Sequence, residues 1–138
     1  MLIEFKVKNF ASFKNETILS AETGERLRKY KGINTFEDGP VSLLKNLLIL
    51  GPNGSGKTEL LNALRTMDRI VERGGTASVT DQLPYNPFAF DPDETKGDTG
   101  FSIIIQVANK IYNYSFKYNA DEITYEKLSL LSEIKKKF

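Results

Sequence analysis

The 138-residue chain is 40% hydrophobic and 27% charged, the balance of a globular protein, which excludes wholesale disorder. A net charge of +1 makes no case by itself for nucleic acid or membrane as a partner. Cysteine and histidine are both absent, which removes disulfides, Cys/His zinc sites, cysteine nucleophiles and histidine bases together and fits a reducing cytoplasm.

In chain order, Leu2 to Phe13 alternates Ile3, Phe5 and Val7 with Glu4, Lys6 and Lys8, the period of a half-buried strand. It has no apolar stretch of the signal-peptide kind, and no run reaches the ~18 apolar residues of a membrane helix, so no membrane association is expected. Glu16 to Ala21 reads as a second strand forming a hairpin with the first. Thr23 to Pro40 reads as loop and carries a basic cluster, Arg26, Arg28, Lys29 and Lys31. Such a cluster is a solvated surface or a nucleic-acid contact. Leu47-Leu48-Ile49-Leu50 is a short apolar run ending at glycine, the signature of a strand buried on both faces.

Gly51-Pro52-Asn53-Gly54-Ser55-Gly56-Lys57-Thr58 follows, and matches G-x-x-x-x-G-K-[ST] in full. Next, Leu60, Leu61, Ala63, Leu64, Met67, Ile70 and Val71 recur at helical spacing over Lys57–Arg73. Gly74-Gly75 is expected to end that helix with residues that tolerate a left-handed cap. Thr76 to Gly100 reads as loop, with Phe88 and Phe90 expected to pack part of it down. Phe101 to Val107 and Ile111 to Tyr118 read as a hairpin turning near Asn109-Lys110. Ile123 to Leu131 is a strand or a short helix. On the second hairpin strand Tyr112, Tyr114, Phe116 and Tyr118 share one face, read as cross-strand packing ahead of a stacking platform for single strands.

The chemistry lies in the glycine loop. A triphosphate needs its charge neutralised by donors that approach closely. Gly51, Gly54 and Gly56 lack Cβ atoms, so the backbone can curl and turn its N–H groups inward as an anion nest. The following helix points its N-terminus at the phosphates. Lys57 would reach the β- and γ-phosphates, and Thr58 would place its hydroxyl on Mg²⁺. This is a Walker A loop, and the ligand it calls for is a purine nucleoside triphosphate with Mg²⁺, ATP in the first place and GTP in principle.

GPNGSGKT, with Asn53 before Gly54-Ser55-Gly56, resembles the loop of the ABC-type branch of P-loop ATPases, which includes RecF and the SMC proteins. Ile3 to Phe10 followed by Ser12-Phe13 resembles the opening strand of RecF-like ATPases, with Ala11 where many members carry arginine. The order of blocks resembles prokaryotic AAA family ATP-binding proteins of the abortive-infection-associated type: Leu43–Thr58, Pro87-Phe88, the hairpin Phe101–Tyr118, then Glu126 and Leu128. The resemblance implies an ATPase head that sandwiches ATP with a second copy, coupled to an effector in phage defence or DNA maintenance.

A head of that kind also needs a Walker B strand, an aliphatic run followed by Asp-Glu. The two Asp-Glu pairs, Asp93-Glu94 and Asp121-Glu122, follow no such run, and no LSGGQ-like signature is present. Gln82 and Gln106 are weak candidates for a Q-loop glutamine. The expectation is therefore an α/β P-loop NTPase of ABC/RecF-like type, residues 1–138 being the N-terminal lobe of a longer protein. Residues 1–75 would supply core strands, Walker A and helix; residues 76–138 would supply a loop and an antiparallel β-subdomain. Two rival functions are a non-hydrolysing, nucleotide-responsive binding module and a DNA- or RNA-binding module.

Overall fold

A computed structural model describes residues 1–24, 29–38, 41–74 and 82–133. Arg26, Arg28, Gly75 and the terminal lysines Lys135–Lys137 lie outside the described residues.

The alternating N-terminus forms β1 (Leu2–Lys8), and β2 (Thr17–Ser20) returns antiparallel beside it with Phe5 opposite Leu19. Part of the expected loop beyond Thr23 is ordered instead: a single helical turn, α1 (Lys31–Asn34), leads into β3 (Thr35–Asp38), which pairs with β4 (Val41–Leu44). The long amphipathic helix is α2, Lys57–Arg73. Then come β5 (Thr99–Val107), β6 (Lys110–Tyr118) and β7 (Ile123–Glu133), so Ile123–Leu131 is strand and not helix.

The five longer-range strands form one antiparallel sheet in the order β2-β1-β5-β6-β7. The N-terminal hairpin thus belongs to the same sheet as the C-terminal strands, Val7 lying opposite Phe101 and Phe101 opposite Phe116. Strands from both sides of residue 75 therefore share that sheet.

One face of the sheet packs under α2. Phe5, Val7, Phe101, Phe116 and Tyr118 meet Leu60, Ala63, Met67 and Ile70, all buried. The helix stripe is narrower than the sequence pattern, for Leu61 and Val71 are half exposed. The aromatic face of β6 lies in this core: Phe116 and Tyr118 are buried, and Phe101 stands edge-on to Phe116 with ring centroids 5.6 Å apart. Packing of this kind, worth about 0.5–1.5 kcal/mol per ring pair beyond area, leaves those two rings inaccessible to a base. On the opposite face the β3–β4 ribbon covers Ile3, Ala21 and Ile111 with Leu43.

One expectation is corrected. Leu47–Leu50 forms no strand: Leu48 and Leu50 are about four-fifths exposed, 82% and 80%, and Ile49 alone packs toward the core. A strand buried on both faces needs neighbours in its ladder and layers above and below it. Among the described residues nothing pairs with 47–50. The helix ends at Gly74, which at φ −54°, ψ −27° continues the helical path and donates its N–H to the Ile70 and Val71 carbonyls.

Residues 82–98 do pack down, through Leu83 and Tyr85 and not through Phe90, which is 91% exposed. Tyr118 Oη donates to the Pro84 carbonyl at 3.0 Å, and Tyr85 Oη to that of Gly97 at 2.7 Å. No helix among the described residues is long and apolar enough to cross a membrane.

Candidate functional site

The phosphate loop occupies 51–56 and runs straight into α2. Gly54 (φ +80°) and Gly56 (φ +85°) sit in left-handed conformations that cost other residues about 1–2 kcal/mol. At Gly56 a second constraint acts, because a Cβ there would lie 3.3 Å from the Phe13 ring and 3.5 Å from Ser12 Cβ. At Gly51 a Cβ would lie 2.7 Å from Ser55 Oγ, a contact that the serine hydroxyl would have to turn away from. All three glycines of the motif therefore have a local geometric reason.

Gly56 is the N-cap of α2 and gives no side-chain cap. The first intrahelical bond runs from Leu60 N–H to the Gly56 carbonyl at 3.0 Å. The amides of Lys57, Thr58 and Glu59 precede it and have no acceptor within the helix, which is the donor set an anion uses. Lys57 Nζ arches over the loop, donating to the carbonyls of Gly51 at 2.6 Å and Pro52 at 2.7 Å, with Ser55 Oγ at 3.4 Å. An ammonium has three donors, so Lys57 is here turned onto the loop's own oxygens and would have to exchange those bonds for phosphate oxygens on binding a nucleotide.

The groove beside the loop has a volume of about 420 Å³ and is lined by Ser12, Asn53 to Thr58, and Glu59. It brings together Asn53, Gly54, Ser55, Gly56, Lys57 and Thr58 on one concave surface. Gly51 and Pro52 contribute from behind through the carbonyls that bind Lys57. The open glycine backbone, uncapped helix amides and adjacent lysine and threonine fit a triphosphate and its Mg²⁺. That pair would supply the γ-phosphoryl group for transfer, with ADP as leaving group, and the metal that offsets the phosphate charge.

Motif reading did not assign Ser12 and Glu59, which line the groove, or Phe13, whose ring stands beside Gly56. Ser12 and Phe13 were visible as part of the opening-strand resemblance, but nothing local indicated that they would back the loop. They do so because the chain after β1 makes a tight turn, Phe10 and Phe13 exchanging backbone hydrogen bonds at 2.9 and 2.7 Å. Ala11 takes a left-handed φ of +47° in that turn, and its N–H donates to the Asn86 carbonyl.

The turn is held from below by Asn9, fully buried and itself left-handed at φ +50°. Its Nδ2 donates to the carbonyls of Glu94 at 2.7 Å and Gly97 at 2.9 Å, and its Oδ1 accepts from Phe88 N–H at 2.9 Å. Thr99 Oγ1 donates to its carbonyl at 2.7 Å. One side chain thus ties β1, the 86–98 segment and β5 together directly behind the phosphate loop. Lys14 adds an ion pair to Asp91, which raises the lysine pKa and lowers that of the carboxyl.

The remaining acids lie elsewhere. Asp93-Glu94 is in a turn entering a single 3-10 turn, and Asp121-Glu122 is in the β6–β7 connection; neither ends a strand, and neither lines the groove. Gln106 is buried in β5 and Gln82 is exposed, both outside the groove lining. Among the described residues no cluster of three or more Asp or Glu is placed to hold a metal unaided.

Residues 47–138 match the family described as "AAA domain, putative AbiEii toxin, Type IV TA system". The chain belongs to this AAA domain family. The match covers the phosphate loop, α2 and all of β5–β7, and begins within the apolar run before the loop. Membership makes it a P-loop AAA-type ATPase family protein, of a kind that uses nucleotide. No curated protein matches the chain.

Proposed function

We propose that this AAA domain protein binds Mg-ATP in the groove at Gly51–Thr58, with Lys57 on the β- and γ-phosphates and Thr58 on Mg²⁺. The observation that carries the reading is the loop itself: two left-handed glycines feed an uncapped helix N-terminus, with Lys57 at its first position.

The chain acts as the N-terminal lobe of a RecF/SMC-like ATPase head whose longer form hydrolyses ATP in the cytoplasm, in phage defence or DNA maintenance. It pairs with a second head and works with an effector. The missing Walker B pair and the exposed Leu48 and Leu50 support the lobe reading, since both call for further strands beside 47–50. The same missing pair supports a second reading, a module that binds nucleotide and never turns it over.

Calorimetric titration of Mg-ATP into the wild type and Lys57→Ala tests binding. The expected result is a loss of about 10- to 100-fold in affinity, the worth of charge-assisted hydrogen bonds. Equal affinity in the two proteins would remove the site. Phosphate release by this chain, abolished in Lys57→Ala, would sink the non-hydrolysing reading.

A further inference from the structure

The face of the sheet turned away from α2 changes character along its strands. At one end Ile3, Ile104 and Ile111 lie under the β3–β4 ribbon. At the other end no described element covers it, and the outward positions become Lys6 and Lys8 on β1, Gly100 and Ser102 on β5, then Ser115 and Lys117 on β6. These residues line a groove of about 200 Å³.

Gly100 is its floor. Lys8 is its partner on one side and Lys117 on the other. A Cβ at Gly100 would lie 3.9 Å from Lys8 Cβ and 3.8 Å from Lys117 Cγ, so the two alkyl stems wall the space that glycine leaves empty. The two lysines are two strands apart, roughly 10 Å at the backbone, a span their arms can close on one phosphate or share between adjacent ones. Neither has an ion-pair partner among the described residues, whereas Lys6 is 3.1 Å from Glu4. Among the described residues, Lys8 and Lys117 thus bring two positive charges without ion-pair partners to one face of the groove. Glu16 is the one carboxylate in the lining. Tyr125, directly across from Lys117 on β7, completes the wall with a ring that is 46% exposed.

We propose that this open end of the sheet binds the backbone of a single-stranded nucleic acid, Lys8 and Lys117 taking phosphates across Gly100 and Tyr125 stacking on a base. Unpaired lysines alone would serve any polyanion; the exposed ring within the same wall is what favours an unpaired strand over an acidic peptide. The site is separate from the nucleotide groove and shares no lining residue with it. It also differs from the expected basic cluster and the Tyr112–Tyr118 face.

Fluorescence anisotropy of labelled oligothymidylate with the full chain, over a salt series without nucleotide, tests this. Lys8→Gln/Lys117→Gln is expected to weaken binding at least tenfold and to lower the slope of log affinity against log salt by about 1.4, two contacts at about 0.7 each. Tyr125→Ala should weaken it severalfold. Gly100→Val, which fills the floor and keeps every charge, should weaken it too. Lys57→Ala should bind the oligonucleotide like wild type, and the lysine pair variant should bind Mg-ATP like wild type, which separates this site from the nucleotide reading. Unchanged melting of each variant establishes that it is folded. Wild-type affinity in the lysine pair variant, absence of binding at low salt, or equal displacement by polyglutamate would overturn the proposal.

Discussion

The two flanks of the phosphate loop are built differently. Downstream, α2 sets four buried side chains, Leu60, Ala63, Met67 and Ile70, onto the sheet. Upstream, Leu47, Leu48 and Leu50 are at least as apolar and remain exposed. The contrast shows that hydrophobic character alone does not make a strand. A helix satisfies its own backbone and needs only one covering surface, which β1 and β5 supply. A strand needs partners for its backbone before its side chains can be buried, and residues 47–50 have none among the described residues.

Substitutions on the two flanks can break that contrast. The largest effect is expected for Met67→Ala on the packed side, about 2–5 kcal/mol of stability by denaturant titration. A cost below about 1 kcal/mol would mean that α2 rests on the sheet without depending on it. Gly56→Ala, where the flanks join, should cost about 1–2 kcal/mol from its positive φ, and Mg-ATP affinity should fall with it as the Phe13 contact displaces the loop. Unchanged melting and affinity would show that the left-handed turn is dispensable. Leu48→Ser on the exposed side should change stability by no more than about 0.5 kcal/mol and should reduce self-association measured by light scattering. A larger loss of stability would place Leu48 in a packed environment and erase the contrast.

The smallest effect concerns pH. Burial beside α2, then the hydrogen bond to Glu126, push the Tyr114 hydroxyl up to about 12 from 10.0. The folded state therefore favours the neutral phenol. Its contribution is complete below pH 10 and is lost as pH rises toward 12. Melting curves across that range should fall less steeply for Tyr114→Phe than for wild type. Parallel curves would argue that the ring is no better shielded than in the unfolded chain. Tyr118 shifts in the same direction in both proteins, so the difference between them isolates Tyr114.

Legibility followed how local the cause was. Helix α2 was readable to the residue, because its start is set by the loop motif and its stripe by a period of 3.6. The β5–β6 hairpin was readable from two β-rich runs and a short turn. The loop's glycines were readable as a motif, although Gly51 and Gly56 answer to Ser55 and Phe13, contacts that no motif states. The pairing of β1 with β5 was not legible, since no local signal says which strand a hairpin will join. Nor was Asn9, a lone asparagine after a strand whose partners lie some 80 to 90 residues further on. Leu47–Leu50 misled because its pattern reports what the side chains prefer and not which neighbours are at hand.

The pairing of β1 with β5 has a consequence for the order of events during synthesis. β1 emerges from the ribosome well before β5, so Lys8 must wait for Gly100 and Val7 for Phe101. In the interval the glycine loop and α2 have been translated with no sheet to lie on, and the Leu60–Met67 face is open to chaperones or to other nascent chains. Contacts this distant in sequence close slowly. The phosphate loop is thus translated before β5, the strand that completes the sheet beneath α2.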